Sequence, residues 1–185
     1  MNKSIQEYRD ELFETSKRGY TILMAGALYN VVLGILTFLL PLPTIQFVWV
    51  VGLMAIFPVG VLIGKAFGLN YFVKENPLGN LGGLAAGMQA FYIPVFILVY
   101  QESPEFLPFT IGLLGGSHFI IYYWLYSSKW YLFLTLGMTF SAFLIGGYML
   151  DYAYPALPFV FAIIFFITTL GVMKENTNNG INIEI

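Results

Sequence analysis

The sequence predicts an all-α fold: a compact bundle of six transmembrane helices preceded by a short amphipathic helix. Hydrophobic residues make up 58% of the 185 residues and charged residues only 10%, whereas about 25% of an ordinary soluble domain is charged. The apolar residues are gathered into six runs, each close to the roughly 20 residues that cross a bilayer core. A soluble chain of this length has too little interior to bury so much apolar surface. We therefore expect a polytopic integral membrane protein.

Residues 1–18 precede the first apolar run and form an element of their own. Ser4 and Glu7 have the spacing of a capping box at a helix start. Apolar residues then recur at helical spacing, at Ile5, Tyr8 and Leu12. This pattern predicts an amphipathic helix over 4–17 that lies on the cytoplasmic surface of the membrane. The alternative is a solvated arm joined to the first span.

The six predicted spans form one transmembrane domain over 19–174, and short connections join them. The spans are 19–40, 44–66, 80–100, 107–126, 130–150 and 156–173, with a cytoplasmic tail over 175–185. Because proline lacks an N–H group and suits loops and first helical turns, Pro155 and Pro158 are predicted to mark the fifth connection. Pro58 and Pro94 lie inside predicted spans. There they bend the helix, either for shape or as a hinge at a binding site.

The positive charges predict the orientation of the bundle. In a topology with six spans, every Lys and Arg falls on one side of the membrane: Lys3, Arg9, Lys17, Arg18, Lys65, Lys74, Lys129 and Lys174. The other side carries Glu102, Glu105 and Asp151 instead. Short cytoplasmic loops hold an excess of positive charge. We therefore expect both termini in the cytoplasm, and the protein in the cytoplasmic (inner) membrane of a bacterium.

Two rows of glycines at intervals of four residues predict close helix packing. The rows are Gly60, Gly64 and Gly68 in the second span, and Gly79, Gly83 and Gly87 at the start of the third. Small residues at this spacing let two helix backbones approach closely. Because the rows lie at matching depth, we expect the cytoplasmic halves of spans two and three to pack against each other. A dimer interface or the wall of a pathway are the alternatives.

Polar side chains near the middle of several spans are the candidate binding residues. They are Asn30, Gln89, His118, Thr139 and Ser141, with Tyr29, Tyr92, Ser117 and Tyr122 as neighbours. Polar groups are costly in hydrocarbon, so their positions are informative. One interpretation is that they hydrogen-bond between helices and hold the bundle together, at around 0.6 kcal/mol for each contact. The other is that they line a polar cavity that binds a small solute or passes a proton through His118.

Composition argues against several functional classes. The chain has no cysteine and a single histidine, so thiolate chemistry and a classical zinc site are not expected. Eight Lys and Arg residues and a pI near 5.3 give no basic surface for nucleic acid. Ser117 adjoins His118 and cannot serve as its nucleophile, because consecutive helix residues point apart. We expect no catalytic residue, no cofactor and no metal, and a protein that is not an enzyme.

The whole chain resembles the small, uncharacterised six-span inner-membrane proteins of Gram-positive bacteria. The resemblance rests on size, six spans and a charged N-terminal arm. It also includes the Gly-Gly-Ser-His stretch at 115–118, followed by Tyr122, Tyr123 and Trp124. It implies a membrane-embedded helical bundle. Such proteins have no established activity, so the resemblance assigns no catalytic or binding residue.

The sequence therefore favours a small permease-like or channel-like protein with a polar cavity around Asn30, Gln89 and His118. Its expected partners are the lipid bilayer and a small polar solute. The alternative is a non-catalytic membrane scaffold or accessory subunit that binds a partner through its glycine-rich helix faces. The sequence leaves the substrate and the oligomeric state open.

Overall fold

The structure, a computed structural model, describes residues 3–73 and 75–178. All of the regular secondary structure in these ranges is helical. The α-helices are α1 (Ile5–Ser16), α2 (Tyr20–Thr37), α3 (Leu42–Ala66), α4 (Pro77–Gly87), α5 (Ile93–Glu102), α6 (Leu107–Ser117), α7 (Ile120–Tyr126), α8 (Lys129–Ser141) and α9 (Leu150–Asn178). Short 3₁₀ segments cover Met88–Tyr92 and Pro104–Phe106, a left-handed turn covers Lys17–Gly19, and a π-helical turn covers Ala142–Gly146. The described ranges contain no strand. The all-α class is confirmed.

Six helical stretches are long and apolar enough to cross a membrane, as predicted. They are Ile5–Thr37, Leu42–Ala66, Pro77–Glu102, Pro104–Tyr126, Lys129–Gly146 and Leu150–Asn178. The first stretch includes the N-terminal helix, and both bounds of the last helix differ clearly from the sequence prediction. The last helix begins at Leu150, so Pro155 and Pro158 lie inside it and not in the connection. It also continues to Asn178 through part of the predicted tail, because the buried Asn176 is held against the start of the first span. The tail beyond 178 lies outside the described residues.

The N-terminal helix α1 begins at a capping box and ends at a sharp turn. The Ser4 hydroxyl accepts a hydrogen bond from the Glu7 N–H at 3.2 Å, and the Glu7 carboxylate accepts one from the Ser4 N–H at 2.6 Å. Three consecutive residues, Lys17, Arg18 and Gly19, have left-handed φ angles of 47°, 52° and 71°. No α-helix can continue through such residues. The turn therefore separates α1 from α2.

The bundle is built around α2 and α9. These two helices pack most closely, α3 lies along α2, and α8 and the π-helical turn join α6 to α9. The core contains the buried side chains of Leu33, Trp49, Phe161 and Phe165. The third span, formed by α4 and α5, is peripheral and presents few buried residues.

The chain turns define two ends of the bundle. At the basic end, Arg18 contacts Tyr126 and Asn176, so the start of α2, the end of α7 and the end of α9 lie together. At the acidic end, the Tyr154 hydroxyl donates to the Pro104 carbonyl at 2.5 Å. The Lys and Arg residues in the described part of the chain belong to the basic end. Lys74 lies outside the described residues.

The predicted pairing of the two glycine rows is wrong. A Cβ added at Gly60 would lie 2.5 Å from the Ile22 Cα, so this glycine packs against α2. The Thr21 hydroxyl donates to the Gly60 carbonyl at 2.8 Å, which holds α2 against this part of α3. Gly64 meets Tyr71 and Thr21 and also does not face the third span.

The remaining glycines of the two rows serve other purposes. Gly68 has a φ of 72° and follows the end of α3, where glycine readily takes a left-handed conformation. Gly79 approaches Leu12 of α1 at 3.8 Å. Nothing lies within 4 Å of a Cβ placed at Gly83 or Gly87. The face of α4 that the sequence predicted to pack against α3 is therefore open.

Candidate functional site

A cavity lies near the middle of the bundle, between α2, α3, the third span, α7 and α9. It offers about 70 Å³ to the centres of water-sized molecules, which is room for about five waters. Most of its wall is aliphatic or aromatic. Its polar side chains are Tyr29, Asn30, Gln89, His118, Tyr122, Tyr126 and Tyr131, together with the indole of Trp49. Among the residues that form its wall, none is Asp, Glu, Lys or Arg.

The cavity lies where two of the spans depart from regular α-helical geometry. The third span changes from α-helix to 3₁₀-helix over Met88–Tyr92, just before Pro94, whose nitrogen carries no hydrogen to continue the α-helical pattern. The fourth span is interrupted at His118 and Phe119, between α6 and α7. A short 3₁₀ stretch within a helix often marks a functional hinge, and such irregular turns at mid-depth are common at the binding sites of transporters.

Gln89 and His118, one from each irregular turn, contact each other across the cavity wall. The His118 Nδ1 lies 2.5 Å from the Gly115 carbonyl, so this nitrogen carries the proton and donates. The Gln89 amide nitrogen lies 3.0 Å from His118 Nε2 and 3.2 Å from Nδ1. With the proton on Nδ1, Nε2 is the ring nitrogen that can accept from Gln89. The hydrogen-bond network thus assigns a neutral histidine with both ring nitrogens engaged.

Asn30 and Tyr29 reach the cavity from α2. The Asn30 amide nitrogen donates to the Gly26 carbonyl of its own helix at 2.8 Å, which leaves the amide oxygen without a partner among the described residues. The Tyr29 hydroxyl lies 3.3 Å from the Val48 carbonyl of α3. Tyr122 donates to the Gly82 carbonyl at 2.9 Å and so ties α7 to α4. Five of the nine predicted polar residues therefore line one cavity.

The other four predicted residues are not part of its wall. Three hydroxyls bond to carbonyls of their own helix: Ser117 to Leu114 at 3.0 Å, Thr139 to Thr135 at 2.8 Å, and Ser141 to Gly137 at 2.6 Å. Tyr92 packs its ring edge-on against Phe96, with ring centroids 6.4 Å apart. Helix geometry allows Ser and Thr to satisfy their hydroxyls locally. A position near the middle of a span is therefore not enough to place a side chain in the cavity wall.

Sequence reasoning missed three polar side chains of the cavity wall, those of Tyr126, Tyr131 and Trp49. Trp49 is the most deeply buried of the three. It is 1% exposed, and its indole N–H has no hydrogen-bond partner among the described residues. Buried indole N–H groups usually find a partner, and an unsatisfied donor costs about 1–3 kcal/mol. No sequence signal marked it, because Trp49 lies close to the start of the predicted span 44–66, where an interfacial tryptophan is expected.

Aromatic side chains close the cavity toward both ends of the bundle. Trp49 packs edge-on against Tyr154 and Phe161, with ring centroids 6.0 Å and 6.4 Å apart, on the acidic side. On the basic side, the Tyr126 and Tyr131 rings lie 5.4 Å apart. The Tyr131 hydroxyl donates to the Arg18 carbonyl at 2.6 Å. No open pore runs along the axis past these described residues.

A smaller cleft of about 30 Å³ adjoins the cavity at the basic end. Leu12 of α1 covers it, and α3 and α4 form its sides. It shares Ile22, Phe57, Tyr122 and Tyr126 with the central cavity. Within the described ranges, no group of three His, Asp or Glu residues is placed to hold a metal ion.

The six long, apolar helices define a multi-pass membrane protein of the α-helical class. The chain belongs to a family of unknown function, DUF7010, whose model matches residues 5–175. No curated protein and no solved structure matches the chain. The family confirms the resemblance to uncharacterised membrane proteins and assigns no activity to the cavity.

Proposed function

We propose that this protein is a small permease-like carrier that binds its solute in the central cavity. The observation that carries the proposal is the contact, through Gln89 and His118, between two spans at the points where each leaves regular α-helical geometry. A 3₁₀ stretch inside a helix often marks a functional hinge, and alternating access needs movement around a mid-membrane site. The aromatic closures at both ends favour a carrier that binds and releases over a permanently open channel.

We further propose that the protein lies in the cytoplasmic membrane of a bacterium with both termini in the cytoplasm. The distribution of Lys and Arg supports this orientation, because the positive charge of short loops marks the cytoplasmic side. The same arrangement sets the acidic end, with Glu102, Glu105 and Asp151, outside the cell.

Binding without catalysis is the proposed chemistry of the site. Both ring nitrogens of His118 are engaged, and the hydroxyl of the adjacent Ser117 bonds to its own helix. A general base needs a free nitrogen within hydrogen-bond reach of the proton that it removes. This geometry supports a role for His118 in holding the two irregular spans together, and it does not support proton relay.

A scaffold role is the second candidate function, and the open glycine face of α4 favours it. A Cβ added at Gly83 or Gly87 would have no neighbour within 4 Å, so a partner helix has room to approach there. If the protein is a scaffold, we expect Gly83→Leu to abolish its stable complex with the partner protein in detergent. A carrier that works alone keeps the same molecular mass after this change.

Water access to the cavity tests the carrier proposal. The chain contains no cysteine, so an introduced cysteine is the only thiol that a reagent can label in the protein. Ala86→Cys places a thiol in the cavity wall. Ala142→Cys, equally conservative, places one at a buried position away from the cavity. We expect a membrane-impermeant thiol reagent, applied to intact cells and inverted vesicles, to label Ala86→Cys and to spare Ala142→Cys. A folded Ala86→Cys protein that resists labelling from both sides contradicts the proposal.

A further inference from the structure

The polar hydrogens around the central cavity are largely taken up by the protein itself. The Tyr122 hydroxyl donates to a carbonyl of α4 at 2.9 Å, and the Tyr131 hydroxyl donates to one in the turn before α2 at 2.6 Å. His118 donates from Nδ1 to a carbonyl of α6. A hydroxyl and a neutral imidazole carry one polar hydrogen each, so these three side chains have none left for a solute. The Trp49 N–H is fully buried and does not reach the cavity space.

The side-chain oxygen of Asn30 is an acceptor that the wall leaves free. Asn30 is 4% exposed, and its amide nitrogen donates to the Gly26 carbonyl of the same helix at 2.8 Å. This bond fixes the orientation of the amide, because the reversed one would bring two carbonyl oxygens together. The oxygen has no partner among the described residues, yet it is not sealed off as the Trp49 nitrogen is. Its accessible surface therefore opens into the cavity that Asn30 lines.

Gln89 supplies a second amide oxygen, from the third span. Its amide nitrogen is turned toward His118, 3.0 Å from Nε2, which leaves the amide oxygen without a partner in the part of the chain that the structure describes. Gln89 also belongs to the cavity wall. An unsatisfied acceptor in an apolar environment costs about 1–3 kcal/mol. A solute that donates hydrogen bonds to these two oxygens would remove that cost.

Charge and size restrict the solute further. None of the residues that form the wall is Asp, Glu, Lys or Arg, so an ion would be buried without a counter-charge, which is very costly. The rest of the wall is mainly aliphatic and aromatic and suits an apolar body. Five waters take up about 150 Å³ in the liquid, and a compact organic molecule of about six non-hydrogen atoms fills a similar volume.

We propose that the cavity binds a small, uncharged solute that donates hydrogen bonds, such as a primary amide or an alcohol with a short apolar body. The N–H or O–H group of the solute donates to the Asn30 side-chain oxygen, and Gln89 provides the second acceptor. This inference rests on the proposed carrier function. It gives a chemical class to the small polar solute that the sequence predicts.

Four probes of one shape test the ligand class. Isobutyramide, 3-methyl-2-butanone, isobutyrate and isobutyramidinium share a branched skeleton, and only the amide is both uncharged and a donor. Binding to the wild-type protein in phosphatidylcholine nanodiscs is measured by saturation-transfer NMR, with empty nanodiscs as the blank. We expect the amide to bind about tenfold more tightly than the ketone, the equivalent of one hydrogen bond, and neither ion to bind. Equal affinity of amide and ketone, tighter binding of either ion, or no binding of the amide overturns the ligand class.

The variant Asn30→Leu tests the acceptor. It keeps the size of the side chain and removes the amide oxygen. The control Thr139→Val removes a hydroxyl that bonds to its own helix at 2.8 Å, outside the cavity wall. We expect Asn30→Leu to weaken binding of the amide about tenfold, to the level of the ketone, and to leave the ketone unchanged. Thr139→Val should change neither.

The ketone also reports whether the cavity keeps its shape, because it makes the same apolar contacts without donating. Amide binding that is as tight in Asn30→Leu as in the wild type overturns the role of Asn30. The comparison of the four probes on the wild-type protein decides the ligand class even if the variant does not fold.

The two proposals fail in different ways. If Ala86→Cys is labelled from water but the amide is not preferred, the carrier proposal stands and the ligand class is wrong. If neither labelling nor binding occurs in folded protein, the cavity is not a binding site and both are wrong. Preferred binding of the amide while Ala86→Cys stays unlabelled supports the ligand class and contradicts the carrier function.

Discussion

Arg18 shows how a single residue joins three parts of the chain at the basic end. Its side chain is buried, and its guanidinium donates to the Tyr126 carbonyl at 3.2 Å and to the Asn176 side-chain oxygen at 2.5 Å. The same group lies over the Phe13 ring, 4.2 Å from its centroid. In the sequence, Arg18 is one of the positive charges that predict the orientation in the membrane. In the structure it also holds helices together, because the end of α9 and the end of α7 both supply hydrogen-bond acceptors to it.

Asn176→Leu should destabilise the protein. Asn176 accepts from Arg18 and its amide nitrogen donates to the Lys17 carbonyl at 2.9 Å, so the change removes one acceptor from the buried guanidinium and leaves the carbonyl unpaired. Hydrogen bonds to charged groups are worth about 1.5–3 kcal/mol, and we expect a loss of that order in the free energy of unfolding in detergent. Thr177→Val, at an exposed position, is the control and should have little effect. Equal stability of the two variants would show that Arg18 finds other acceptors.

The N-terminal helix α1 is docked onto the bundle, where Leu12 and Phe13 are buried. The Asn76 amide nitrogen donates to the Tyr8 carbonyl at 2.8 Å and to the Glu11 carboxylate at 3.2 Å. Lys3 also donates to Glu11 at 3.0 Å, and this hydrogen bond raises the pKa of Lys3. The second connection therefore holds α1 over the smaller cleft.

Asn76→Ala should release α1 from the bundle. The side-chain oxygen of Asn76 also caps α4 by accepting from the Leu78 N–H at 2.9 Å, and losing an N-cap costs about 0.5–2 kcal/mol. We expect trypsin to cleave after Arg9 several-fold faster than in the wild type. Asn70→Ala, in the same connection, serves as the control because its side chain makes no hydrogen bond to α1. Unchanged cleavage of Asn76→Ala would show that the apolar contacts of α1 suffice.

The second and third spans use glycine for different purposes. In α3, glycine allows α2 to approach within contact distance, and in α4 it borders open space. The difference lies in the neighbours and not in the spacing, which is the same in both rows. The interrupted third span, with 3₁₀ geometry before Pro94, also packs less closely than the helices at the centre.

Gly60→Ala and Gly83→Ala should therefore differ although the change is the same. At Gly60 the new Cβ would lie 2.5 Å from the Ile22 Cα, so the backbones must separate, and overpacking costs about 1–3 kcal/mol. At Gly83 the space is open, and alanine favours the helix by about 1 kcal/mol. Thermal unfolding in detergent should show a lower midpoint for the first variant and an equal or higher one for the second. A lower midpoint for Gly83→Ala would show that α4 packs against α3 after all.

At the scale of the whole molecule, charge distinguishes the two ends of the bundle. The basic end also carries α1 and the end of α9, whereas the acidic end carries Glu102, Glu105 and Asp151. The positive charges resist transfer across the membrane, so the basic end stays on the side of synthesis. The two ends are thus suited to different aqueous compartments.

Single cysteines at the two ends test this orientation. Asp151→Cys and Lys3→Cys both place a thiol at an exposed position. We expect a membrane-impermeant maleimide to label Asp151→Cys in intact cells and to label Lys3→Cys only after the membrane is opened. The reverse pattern would place the termini outside, and labelling of both in intact cells would argue against a single orientation.

Much of the architecture follows from local chemistry along the chain. The number of spans depends on runs of apolar residues, and the start of α1 depends on Ser4 and Glu7, which lie three residues apart. Such features are set by residues near one another in sequence. The candidate site was predicted in part, since Asn30, Gln89 and His118 stand out as polar groups in apolar runs.

The identity of the neighbours required the folded structure. A helix in lipid is apolar all round, so its hydrophobic pattern does not mark the face that packs against protein. This is why the spacing of Gly60 and Gly83 predicted a contact that does not form. It is also why Thr139 and Ser141 were placed in a cavity that they do not line. Whether a polar side chain meets its own helix, another helix or a cavity depends on long-range packing, and only the assembled bundle brings Trp49, Gln89 and His118 to one wall.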